Sequence, residues 1–309
     1  MNKRAVWGLL FVLLSGCGLQ AEQELHFLPD NKAILFYQHD TSTALFHFTP
    51  DREGQFIELQ QTLPENMRQL QALFGIHGLD HKPAFWICSD VKAMQQAIRH
   101  SGNPTLPDVR ELQRRRVWKQ GHNTIILFSI TSDLEQIQRL VLQEFASQLV
   151  QQKARKWSHN GIYWFQTGMA AYLAWSIGSA PQESSRLHAR MIDYYSYYFD
   201  PDQAFALESL EDQKEWQSAL LVDANQVFGE SVLAYLFFAS RYGAHTGIHT
   251  MERMNDPAEF EREFERSTGT TLFEFEQLFR RTVFPQVQSV RKKHKQEKRD
   301  NYYKPSRTT

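Results

Sequence analysis

Cysteine is scarce in this sequence: there are two in 309 residues, Cys17 and Cys88. A scaffold stapled by several disulfides is excluded, and a chain this long can draw its stability from its own core. Cys88 closes the apolar run Phe85-Trp86-Ile87-Cys88 and reads as a buried thiol. Beyond the leader no apolar run is long enough to cross a bilayer. A charge excess of either sign is also missing. Thirty-four Lys and Arg face 35 Asp and Glu, for a net charge of −1, which gives no reason to expect nucleic acid as a partner. The chain lacks internal repeats, a Gly-x-Ser-x-Gly elbow and a phosphate-cradling glycine-rich loop. Paired metal-binding histidines are missing as well. His245 and His249 are four apart, but Gly247 lies between them and the preceding helix is expected to end at Gly243. His47, His159 and His188 stand singly.

What is present begins at the N-terminus. Lys3 and Arg4 precede the apolar run Ala5–Leu14, which ends in Ser15-Gly16-Cys17. The run is too short for a stable membrane-spanning helix, and its flanks are those of a secretory signal. Leu14-Ser15-Gly16-Cys17 resembles a bacterial lipobox. That resemblance implies cleavage before Cys17 and a covalent lipid on it. Several acyl chains, at roughly 0.8 kcal/mol per buried CH₂, make a stable membrane anchor. An ordinary cleaved signal with an incidental cysteine is the alternative. Gly18 rather than Asp after the cysteine favours the outer membrane, facing the periplasm. With Cys17 acylated, no disulfide can form within the mature domain.

An α+β fold follows from the pattern further on. Short aromatic or branched runs at Ala33–Tyr37, Ala44–Phe48, Ala84–Cys88 and Asn123–Phe128 read as strands. Helices are expected at Glu58–Phe74, closed by Gly75, and at Val91–His100. From Ser132 the chain reads as nearly all helix. Ser132-Asp133-Leu134-Glu135 forms a capping box, and Leu134, Ile137, Val141, Phe145 and Leu149 recur at helical spacing. Further helices are expected at Tyr163–Ile177, Ser184–Tyr198, Asn225–Tyr242, Pro257–Ser267 and Leu272–Thr282. The aromatic cluster Asp193–Phe199 reads as helix-packing surface. From about Val290 the chain is basic and without apolar periodicity. It reads as a solvated tail, or alternatively as a contact for anionic lipid or polymer.

Four segments in order carry a more specific signal. They are Leu142-Gln143-Glu144-Phe145-Ala146-Ser147, then Trp164-Phe165-Gln166-Thr167-Gly168-Met169-Ala170-Ala171-Tyr172, then Phe228-Gly229-Glu230-Ser231 leading to Arg241-Tyr242-Gly243, and then Phe260–Phe264 with Ser267-Thr268-Gly269 and Leu272–Phe275. In order and spacing they resemble the gluzincin (peptidase MA-like) metallopeptidases, over roughly Phe46 to Phe284. In that family His-Glu-x-x-His on one helix is followed by Trp-Leu-x-Glu-Gly-x-Ala-Glu-Tyr on the next. Two His and the later Glu hold zinc, and the Glu beside the first His is the general base. The implied organisation is a signal peptide at 1–16, a tether at 17–25, a strand-rich part at 26–130, a helical part at 131–285 and a basic tail at 286–309.

Matched position by position, the resemblance implies that the metal site has been lost. Gln143, Ser147 and Thr167 stand at the three ligand positions, Glu144 at the general base and Phe228 where a hydroxyl-bearing Tyr is usual; Ala171 replaces a second acid. Neutral Gln, Ser and Thr are poor ligands for such an ion. Zinc lowers the pKa of a bound water from about 15.7 to about 7, so its loss forgoes on the order of 12 kcal/mol of nucleophile activation. Gln143 and Ser147 read most simply as half-buried polar residues. The expectation is therefore an envelope-anchored pseudopeptidase without zinc or catalysis. It would bind a peptide, a peptidoglycan fragment or an envelope protein. A hydrolase with another arrangement around Glu144, and a structural lipoprotein with a filled cleft, are the alternatives.

Overall fold

The computed structural model describes residues 22–26, 34–103, 106–115, 117–127, 133–154, 161–178 and 186–302. Residues 1–21, which include the expected signal peptide and Cys17, lie outside the described residues.

The fold is α+β, with the strands N-terminal and the helices C-terminal. Six strands form one mixed sheet: β1 (Glu22–His26), β2 (Ile34–Asp40), β3 (Leu45–Phe48), β4 (Ala84–Cys88), β5 (Val117–Gln120) and β6 (Asn123–Leu127), in the order β1-β2-β3-β4-β6-β5. β3, β4 and β6 run parallel, while β1, β2 and β5 pair antiparallel with their neighbours. The parallel pairs need crossovers. These are α1 (Glu53–Phe74) after β3, and α2 (Val91–His100) with α3 (Val109–Arg115) after β4.

Side chains alternate across the sheet, so each face builds its own core. Phe46, Phe48, Phe85, Ile87 and Ile126 face the large core that continues into the helical half. Phe36, Trp86, Cys88 and Ile125 face a smaller core closed by Met94, Ala97 and Ile98 of α2. Cys88 is fully buried, which pushes its thiol pKa up. Asp90 caps α2 by accepting from the Ala93 N–H at 2.8 Å, and α1 ends on Gly75 at φ 62°.

The helical half comprises α4 (Leu134–Lys153), α5 (Tyr163–Gly178), α6 (Leu187–Tyr195), α7 (Gln213–Tyr242), α8 (Ala244–Arg253), α9 (Phe260–Thr268) and α10 (Leu272–Tyr302). Asp133 caps α4, accepting from the Glu135 N–H. The expected partner of that cap, Ser132, lies outside the described residues. α5 is apolar on nearly every side and packs between α4 and α7. At its crossing with α7, a Cβ on Gly168 would come within 2.3 Å of the Ser231 carbonyl oxygen and 2.6 Å of the Tyr235 Cβ. Only glycine lets the two helices approach so closely.

Several expectations are corrected. Residues 22–25, assigned to the tether, belong to β1, and α3 and β5 were not foreseen. The expected helix Asn225–Tyr242 is the second segment of α7; a first segment from Gln213, which was not foreseen, precedes it across a kink at Asp223, whose side chain caps the second. α8 follows Gly243 directly, so His245 and His249 do share a helix. Gly247 is tolerated inside it because the Tyr235 hydroxyl lies 2.3 Å from where a Cβ would be. α10 does not stop at Thr282 but runs to Tyr302 through Pro285, so the basic segment is helical up to that point.

Candidate functional site

α4 packs against α1 and α5, and its register decides what becomes of the expected site. Val141, Leu142, Phe145, Ala146 and Leu149 are buried. Gln143 and Ser147, four residues apart and so on one helix face, are half-buried. Thr167 is half-buried on α5, which packs against α4. Its neighbours Trp164, Gly168 and Ala171 are buried. Among the described residues no hydrogen bond joins Gln143, Ser147 and Thr167 to one another. Phe228 is partly buried on α7, its ring 5.9 Å from that of Tyr195.

Glu144 is more deeply buried than Gln143 and Ser147. It is 6% exposed, and its carboxylate forms an ion pair with the ammonium of Lys119. Lys119 comes from the edge strand β5 and is itself half exposed. A buried carboxylate needs such a partner, because removing one partner of a buried pair leaves an uncompensated charge. The donor set at 143, 147 and 167 does not fit zinc: it offers an amide and two neutral hydroxyls. The Glu144 carboxylate is already paired with the Lys119 ammonium. Phe228 has no hydroxyl with which to stabilise an oxyanion.

Two other candidate ligands, His249 and His47, have partners of their own. His249 Nδ1 lies 2.9 Å from Glu252, which Lys153 also engages at 2.7 Å. His47 is buried and stacked 3.7 Å from Trp86. His188 is half-buried, and burial lowers its pKa. His159 lies outside the described residues. Among the described residues no three His, Cys, Asp or Glu side chains form a metal-binding group.

Sequence reasoning gave no role to two perturbed carboxyls. Glu230, on α7, is fully buried. One oxygen accepts from the Phe205 N–H at 2.9 Å. Burial raises its pKa to about 8; the Phe205 bond and Arg280 oppose the rise, and Glu276 adds to it. Arg280 in turn donates to the Phe205 carbonyl at 2.6 Å and to Glu276 at 2.8 Å, while Glu276 accepts from the Leu207 N–H. Together these groups pin the segment 205–207 against α7 and α10. Glu211 is also raised to about 8, first by burial and then by Glu261, with the Trp164 indole opposing. The available signal for Glu230 was one carboxyl within the otherwise apolar stretch Val227–Ala239.

The aromatic cluster divides. Tyr195 is buried and accepts from the Trp175 indole at 3.1 Å, while Tyr197 and Tyr198 are 54% and 39% exposed.

The sequence matches none of the family models it was scanned against, and a search of curated proteins finds no match either.

Proposed function

We propose that this protein is a lipid-anchored envelope lipoprotein with a gluzincin-like fold, which binds or scaffolds a partner without cutting it. The observation that carries this reading is the Glu144–Lys119 ion pair. A general base must be free to take a proton from an activated water within hydrogen-bond reach. Here the carboxylate at that position is buried and engaged by an ammonium from the neighbouring strand. Uncharged side chains at 143, 147 and 167 support the same reading, because nothing there would activate the water. A peptide, a peptidoglycan fragment or an envelope protein is the class of partner proposed, and Cys17 would hold the protein on the membrane.

The test compares protein purified from the envelope with its Glu144→Gln variant on a mixed peptide library and on muropeptides. Neither is expected to hydrolyse any member. Hydrolysis by the wild type that disappears in Glu144→Gln overturns the reading.

A further inference from the structure

We propose that the basic end of α10, together with Tyr197 and Tyr198, is a contact surface for the anionic headgroups of the membrane that carries the Cys17 anchor; this rests on the lipoprotein reading above. Between Arg291 and Arg299 there are six Lys and Arg and one Glu, in a chain whose net charge is only −1. The charge is therefore local, as suits a flat anionic layer touched at one place.

The segment is held in place, which a loose tail would not be. Arg291 donates to the carbonyls of Ser196 and Phe199, at 3.2 and 2.8 Å, and pairs with Asp200 at 2.8 Å. His294 lies 3.0 Å from Asp193 and stacks on the Tyr197 ring at 4.0 Å. These two residues are spent on the body of the protein; among the segment's cations whose side chains are described, Lys292, Lys293 and Lys295 remain outward and exposed. Lys293 has a long, exposed contact with Glu297 at 3.8 Å, which water and salt weaken. Lys292 and Lys295 are three apart, the i, i+3 spacing of a single helix face. The His294 stack places the exposed Tyr197 against this helix, with Tyr198 next in sequence. Tyrosine suits the headgroup level, because it offers an apolar ring and a polar tip. Lysines over an anionic layer each contribute attraction that falls off within a Debye length.

The experiment uses the full protein extracted from the envelope and reconstituted into vesicles, either of phosphatidylcholine alone or containing phosphatidylglycerol. Surface amines are acetylated with a membrane-impermeant reagent and read by mass spectrometry. In the anionic vesicles Lys292, Lys293 and Lys295 are expected to label about fivefold more slowly than in phosphatidylcholine. High salt should remove the protection, and exposed Lys214 should not respond. The double variant Lys292→Glu, Lys295→Glu should label at Lys293 equally in both vesicles. Equal labelling of the wild type in both vesicles overturns the proposal, and so does protection that is indifferent to salt and lipid charge. The mass of the Cys17 peptide, read in the same sample, reports the anchor separately. An acylated Cys17 with unprotected lysines sinks this surface and leaves the anchor standing.

Discussion

Glu144 on α4 and Glu230 on α7 are both nearly out of water, 6% and 0% exposed, yet the two regions treat them differently. At the seam between α4 and the sheet, the edge strand delivers a lysine to the carboxylate. At the seam between α7 and α10, the cation that acts on Glu230, Arg280, is bonded to Glu276 and the Phe205 carbonyl. Glu230 keeps one backbone hydrogen bond, and its Oε1 has no hydrogen-bond partner among the described residues. The lesson concerns how a buried carboxyl is made tolerable. A half-exposed seam can bring in a long lysine whose head stays partly in water. A sealed helix–helix seam instead keeps the proton on the acid.

The contrast breaks most visibly with pH. Glu230 and Glu211 have folded-state pKa values of about 8 against an ordinary 4.5. Between those values the unfolded chain has released protons that the folded one keeps. The stability they contribute is therefore complete below about 4.5 and is lost as pH rises toward 8. Glu230→Gln keeps the acceptor for the Phe205 N–H and removes one titration. It should flatten the fall in urea-derived stability between pH 5 and 8 by up to about 1.4 kcal/mol per pH unit, and leave the variant more stable than wild type at about pH 9. Parallel pH curves for the two proteins would contradict this. Next in size is Arg280→Met, which removes the donor to the Phe205 carbonyl and leaves the Glu276 carboxylate with the Leu207 N–H but without its cation. It should cost about 2–3 kcal/mol in urea unfolding at neutral pH. Lys119→Met should cost less, about 1–2 kcal/mol, because its ammonium is half in water. Adding Glu144→Gln should return most of that loss. If Lys119→Met is neutral and Glu144→Gln does not rescue it, the ion pair does not hold α4 to β5.

How much of this was legible follows the same division. β2, β3, β4 and β6 were visible in sequence because they carry the aromatic and branched side chains that fill two cores. The edges, β1 with Glu22-Gln23-Glu24 and β5 with Lys119-Gln120, are polar and carry little period-two signal. α8 was hidden by Gly247, which reads as a helix breaker until Tyr235 is seen occupying the space beside it. The end of α10 was hidden because polar contacts from Arg291 and His294 hold it rather than an apolar stripe. Within the site, the half-buried state of Gln143 and Ser147 followed from helix register alone. The Lys119 partner of Glu144 did not, because the pairing joins a strand to a helix through tertiary contact and leaves no local pattern.

The central claim is that Gln143, Ser147 and Thr167 occupy the positions of a lost His₂Glu zinc set. Zinc titration calorimetry on the triple variant Gln143→His, Ser147→His, Thr167→Glu tests it directly, with folding checked by circular dichroism. The account predicts that the wild type takes up no zinc and that the folded triple variant binds about one equivalent, as three convergent ligands would. A folded variant that binds no better than wild type would show that the three positions do not converge, and would contradict the account.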